Sequence, residues 1–274
     1  MTTTTITAPV PVLQPTQGNR LTWVVADIGT MTKRNLLALV RTPEALFFTT
    51  LQPIMFTLLF TYVFGGAIHV PGGQYIEFLM PGIFVQTVAF GAVSTAVGLA
   101  DDLQKGLIER FRALPMARSA VLAGRTTADL VRNVFIVTLI TVVGYIVGFR
   151  IGTNFGLFLC GALIVLIFAY SLGWGFATVG LTASNAETAQ VMAFPILFPL
   201  TFASSAFVPV QDMPGWLQAF AKHQPVTQVV DAARSLMVGG VTHDTSSIYQ
   251  ALAWCAGLLI VLVPLAVSKF RKGG

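Results

Sequence analysis

The chain has 274 residues, of which 55% are hydrophobic and only 10% charged, with a net charge of +5. Soluble domains carry roughly 25% charged residues, so this composition excludes an ordinary water-exposed fold. A mean hydropathy of +0.77 points to the bilayer as solvent. The positive balance does not mark a nucleic-acid binder, because the Lys and Arg residues sit at the ends of apolar stretches.

Residues 1–19 are rich in Thr and Pro and lack an apolar core. They read as a disordered tail without a cleavable signal peptide, so the first true span is expected to drive insertion. Residues 20–43 place Leu21, Val24, Val25, Ile28 and Met31 at helical spacing, with Lys33, Arg34 and Arg41 beside them. This pattern predicts an amphipathic helix lying in the cytoplasmic membrane surface. A hydrocarbon core of ~30 Å needs about 20 apolar residues in helical form. Six stretches qualify within a transmembrane domain over 44–268: about 45–68, 78–100, 119–149, 155–181, 188–210 and 248–267. A short tail, 269–274, follows. The predicted fold class is an all-α integral membrane protein of six helices preceded by an interfacial helix.

Loop charges set the orientation. With the N-terminus in the cytoplasm, the inner segments hold Arg20, Lys33, Arg34 and Arg41, then Lys105, Arg110, Arg112, Arg118, Arg125 and Arg132, then Lys269, Arg271 and Lys272. The outer segments hold only Arg150, Lys222 and Arg234. This excess inside predicts a plasma-membrane protein with both termini cytoplasmic, which requires an even number of spans.

Several polar groups stand out. Arg125, Asp129 and Arg132 share one face at the start of the third span, where Asp129 can pair with either arginine. The reading is a satisfied salt-bridge triplet at the membrane interface, with a direct role in transport as the alternative. The outer loop, 211–247, carries Met213-Pro214-Gly215-Trp216 and an amphipathic stretch from Thr227 to Met237. It predicts short helices dipping back into the outer leaflet, anchored by Trp216. Cys160 and Cys255 read as small buried hydrophobes, and His69, His223 and His243 are scattered, so no metal site is expected.

Catalytic motifs are missing. No GxxxxGK[ST] loop occurs, so this chain is not expected to bind ATP itself. Acidic residues are nearly absent from the spans, which argues against proton or sodium coupling. Energy for any transport would have to arrive from a partner. The inner loop, 101–118, offers that partner a grip. It is helix-compatible up to Leu114, where Pro115 stops it. Leu107, Phe111 and Leu114 can fill a groove, while Glu109, Arg110 and Arg112 offer directional pairs. The plainer alternative is a solvated topogenic loop.

Four stretches resemble one family, the ABC type-2 exporter permeases, and within it the daunorubicin-resistance-like (DrrB-like) permeases. The first is Leu39-Val40-Arg41-Thr42-Pro43-Glu44, with Gln52-Pro53 and Tyr62-Val63-Phe64-Gly65-Gly66 after it. The second runs from Tyr75 to Gly82, and the third from Glu109 to Pro115 with Gly124-Arg125 and Asp129. The fourth runs from Pro209 through Trp216 and Pro225-Val226-Thr227 to Asp231 and Arg234. Where the family commonly has Asn-Pro before the last of these helices, this chain has Gln224-Pro225. The resemblance implies a homodimer, or a heterodimer with a similar permease, docked on two nucleotide-binding subunits that hold ATP and Mg. It implies that Glu109 to Pro115 form a coupling helix seated in the ATPase. It also implies a substrate path between permease subunits near the first, second and fifth spans. Gln52, Phe56, Gln86, Phe90, Phe198 and Phe202 are the candidates there. The expected cargo is a hydrophobic drug-like or antibiotic molecule, with a lipid or glycan as the rival and a non-transporting scaffold as the reading from another class.

Overall fold

The structure, a computed structural model, describes residues 20–68, 70, 74–107, 118–239 and 245–272. Among the described residues the chain is all-helical. Helix α1 (Arg20–Val40) is followed by α2 (Pro43–Leu59), which ends in a π-helical turn over Phe60–Phe64. Then come α3 (Tyr75–Gln104), α4 (Arg118–Val147), α5 (Phe155–Thr182) and α6 (Ala186–Phe202). Two short outer helices, α7 (Gly215–His223) and α8 (Pro225–Met237), precede α9 (Thr245–Lys272).

Helix starts follow local chemistry. Pro43 stands in the first turn of α2 with Glu44, where a missing N–H costs nothing and an acid complements the dipole. Asn154 and Asn185 cap α5 and α6, accepting from the Gly156 and Thr188 backbone N–H groups at 3.0 and 2.8 Å. The stretches 47–64, 75–104, 120–147, 155–182 and 245–271 are long and apolar enough to cross a bilayer. α6 is apolar but has 17 residues, about 25 Å of helix.

α3 is the axis of the core. Leu79, Met80, Ile83, Phe84, Val85, Val88 and Ala89 are wholly buried among α4, α5, α6 and α8. Close approach replaces bulk at two crossings. A Cβ at Gly180 of α5 would strike the backbone of Ala96, and one at Gly82 would strike Ala206. Between helices in lipid, such small residues permit the packing that holds a bundle together. α1 lies along α4, with Met31 buried against Gly124 and Thr32 Oγ1 donating to the Gly124 carbonyl at 3.3 Å. Its other face leaves Trp23, Val25 and Val40 exposed.

Two expectations are corrected. The fifth span does not reach residue 210, because α6 ends at Phe202. The last-turn carbonyls of Leu200 and Ala203 are taken by Gln224 Nε2, at 2.9 and 3.1 Å, so the chain is free to turn there. Cys160 is exposed on α5, whereas Cys255 is buried; the hydropathy of a span does not say which face a residue occupies. The expected N-terminal tail, His69 and His243 lie outside the described residues.

Candidate transport site

Phe194, Phe198 and Phe202 recur every four residues on α6 and therefore share a face. Their centroids are 5.8 and 5.3 Å apart. Phe207 continues the row 5.3 Å beyond Phe202, then Phe60 at 4.5 Å and Phe64 at a further 5.1 Å. Phe90 of α3 joins Phe198 at 5.8 Å, and Phe56 of α2 lies 6.3 Å from Phe202. The sequence had singled out Phe56, Phe90, Phe198 and Phe202; Phe60, Phe64, Phe194 and Phe207 were missed. The periodicity of α6 could have found Phe194, but Phe207 reaches the row only through the turn after α6. Offset ring pairs of this kind are worth about 0.5–1.5 kcal/mol each beyond area. Phe198 and Phe202 remain 49% and 39% exposed, so this part of the ladder faces outward, whereas Phe207 is buried in the bundle.

A cavity of about 320 Å³ opens where the ladder meets Phe194. α2 contributes Phe48, Gln52 and Pro53, α3 contributes Gln86, Phe90, Gly91 and Ser94, and α6 contributes Gln190 and Phe194. Gln52 and Gln86, both candidates from the sequence, thus meet in one wall. Thr87 and Ser94 spend their hydroxyls on the carbonyls of Ile83 and Gly91, each at 2.6 Å. Gln86 is different. It is 2% exposed, and neither amide atom has a hydrogen-bond partner among the described residues. Leaving a buried amide unpaired costs roughly 1–3 kcal/mol.

Behind that wall lies an ionic cluster joining α1, α3 and α4. Arg132, 5% exposed, donates to the Gly91 carbonyl at 2.8 Å and to Ser94 Oγ, and pairs with Asp129 at 3.1 Å. Asp129 also accepts from Thr95 Oγ1 and lies 4.0 Å from Arg125. Arg125 reaches Asp102 at 3.5 Å, and Asp102 pairs with Arg34 of α1 at 3.2 Å. Spacing on one helix brings Arg125, Asp129 and Arg132 together. Asp102 and Arg34 enter from other helices, which no local pattern reveals. A charged group this deep is tolerated only with such partners.

α3 ends beside this cluster. Lys105 caps it, pairing with Asp101 at 2.7 Å, and Gly106 adopts φ +65°, a conformation that favours glycine. The helix-compatible run up to Leu114 is therefore broken at Gly106. Glu109, Arg110, Phe111, Arg112, Leu114 and Pro115 lie outside the described residues.

The outer segment is knit by Arg234. Its guanidinium donates to the carbonyls of Phe78 and Ser205 at 3.1 and 2.8 Å, pairs with Asp231 at 2.8 Å, and lies 3.8 Å from the Phe78 ring centroid. Burial lowers its pKa from the ordinary value, and Asp231 opposes that. Ser205 Oγ donates to the same Asp231 oxygen at 2.7 Å. Pro225 opens α8, and Gln224 Oε1 accepts from the Val226 N–H at 3.3 Å. Trp216 is 76% exposed on α7.

Bilayer-length helices, a cavity lined by phenylalanines and glutamines, and an aromatic row leading from it define a multi-pass membrane permease. A family profile described as ABC-2 type transporter matches residues 26–238, and the chain belongs to that family. It is 36% identical, over 93% of its own length and 90% of the relative's, to the daunorubicin resistance ABC transporter permease protein DrrB1 of Streptomyces coeruleorubidus. It is 27% identical, over 95% and 94%, to the probable doxorubicin resistance ABC transporter permease protein DrrC of Mycobacterium tuberculosis. The doxorubicin resistance permease protein DrrB of that organism is 26% identical over 76% and 74%.

Proposed function

We propose that this chain is the membrane subunit of an ATP-driven exporter that moves hydrophobic, drug-like molecules out of the cell. The single observation that carries the substrate class is the phenylalanine row from Phe194 to Phe64, which offers a ring-bearing molecule successive weak stacking partners and no deep trap. Drug-resistance permeases of matching length support it. ATP and Mg are held by two separate nucleotide-binding subunits, which grip the permease through Glu109 to Pro115. Two permease copies meet across the exposed face of α2 and α6, with both termini in the cytoplasm. The ATPase then biases a two-state bundle between inward and outward access.

The test uses inside-out vesicles holding the permease and its ATPase. ATP should drive accumulation of fluorescent daunorubicin, and an ATPase unable to hydrolyse ATP should abolish it. No ATP-dependent accumulation of daunorubicin sinks the drug reading; transport of a fluorescent phospholipid instead would support the lipid rival. Replacing both Glu109 and Arg112 with Ala should release the ATPase from the permease on co-purification while membrane insertion persists.

A further inference from the structure

α1 packs on α4 through Met31 and Thr32 at Gly124, and its outer face is left open. We propose that the groove along this face, walled on its far side by α4, binds one anionic phospholipid, with an acyl chain on the apolar stripe and the phosphate at Lys33. The ligand belongs to the bilayer and not to the transported cargo.

Shape comes first. The groove has a volume of about 520 Å³. Val25, Gly29, Leu36 and Val40 line it at helical spacing and so form one stripe. From Val25 to Val40 the stripe runs about 22 Å. One leaflet of hydrocarbon is ~15 Å deep, so the stripe is long enough to seat an acyl chain. Gly29 leaves a notch midway, since no heavy atom lies within 4 Å of where its Cβ would stand. Thr127 of α4 stands on the opposite wall. Its depth follows from helix length. The apolar stretch of α4, Ala120–Val147, has 28 residues, which is about 42 Å of helix against a core of ~30 Å. Its ends therefore reach the headgroups, and Thr127, about 10 Å from one end, stands just inside the hydrocarbon boundary.

Charge narrows the occupant. Lys33 is the one charged residue lining the groove. Its neighbour Arg34 turns the other way, to Asp102 at 3.2 Å. Lys33 is exposed, and no acid pairs with it among the described residues. Arg41, also exposed, follows directly on the end of the stripe at Val40. A soluble anion has no use for the stripe, and an uncharged chain has none for Lys33. A phospholipid with a net negative head uses both. The Arg34–Asp102 pair ties α1 to the last turn of α3, so a lipid that fixes α1 also steadies that end of α3.

The experiment titrates the full-length permease, with its ATPase in mild detergent, with phosphatidylglycerol and with phosphatidylcholine of the same acyl chains. Bound lipid is counted by native mass spectrometry, and the melting midpoint is followed alongside. The expected result is about fivefold tighter binding of phosphatidylglycerol, the factor one lysine near an anionic headgroup supplies, with a raised midpoint. Lys33→Gln should abolish the preference and Lys33→Arg should keep it. Gly29→Leu fills the notch without striking protein and should weaken both lipids. Arg271→Gln, exposed near the end of α9, removes a surface charge elsewhere and should change nothing. Equal affinity of the wild-type complex for both lipids overturns the proposal, as does a preference that survives Lys33→Gln or undiminished binding in Gly29→Leu. An equal loss of preference in Arg271→Gln would mean attraction by surface charge at large and overturns it too. Release of the ATPase by Gly29→Leu with lipid binding unchanged would assign the groove to a protein partner instead.

Discussion

Helices α2 and α3 are nearly alike in hydropathy. Their most apolar stretches have mean hydropathies of 1.5 and 1.7, yet 11% of the first and 72% of the second are buried inside the bundle. Hydropathy says that a helix belongs in the bilayer, not what it touches there. Lipid is as apolar as leucine, so burial between helices is stabilised by packing and hydrogen bonds and not by escape from water. α3 has both. Its small residues let Gly180 and Ala206 approach, and its polar groups take bonds from Arg132 and Arg234. α2 has neither along its outward side, where Phe48, Met55, Tyr62 and Val63 are left open. α3 organises the fold, and α2 presents a surface.

Predictions built on this contrast begin with the largest effect. Asp129→Ala would leave Arg132 buried without its counter-ion, a loss of about 3–5 kcal/mol. The purified protein should aggregate far below the wild-type melting temperature in a detergent thermostability assay, and an unchanged midpoint would remove the ionic cluster from the account of stability. Next, Gly180→Leu should push α5 off α3 at a cost of about 1–3 kcal/mol, whereas Tyr62→Ala on α2 should stay within about 0.5 kcal/mol. Equal effects in the same assay would erase the distinction between the two helices. Met55→Cys, in a chain with Cys160 and Cys255 replaced by Ser, should give a disulfide-linked dimer in membranes on mild oxidation. Leu79→Cys in α3 should give none. A ladder of cross-links from both positions would argue for non-specific collisions. A smaller loss than at Asp129 or Gly180 is expected at Gln224→Ala, about 1 kcal/mol from lost caps, read as a drop of a few degrees in the same melting curve.

Much of this arrangement was legible in the residues. Long apolar runs announce helices because the bilayer allows little else. Arg125, Asp129 and Arg132 were recognisable as a unit because helical spacing is a local rule. The misreading at the end of α6 has an equally definite cause. Hydropathy continues through Phe207 to Val210, and the groups that end the helix come from Gln224, more than twenty positions away. The same applies to Asp102 and Arg34, which meet across 68 residues. Gln52 and Gln86 could be named as candidates, but only the packing of α2 against α3 shows that they share a cavity.

Gln224 has a further consequence. One side chain closes the carbonyl end of α6 and opens the amide end of α8. It acts as a rivet through two plates: neither helix can tilt away from the other without surrendering bonds on both sides. α6 carries Phe194, Phe198 and Phe202, and α8 carries Asp231 and Arg234. Any displacement of the outer cap must therefore turn the top of the aromatic row with it.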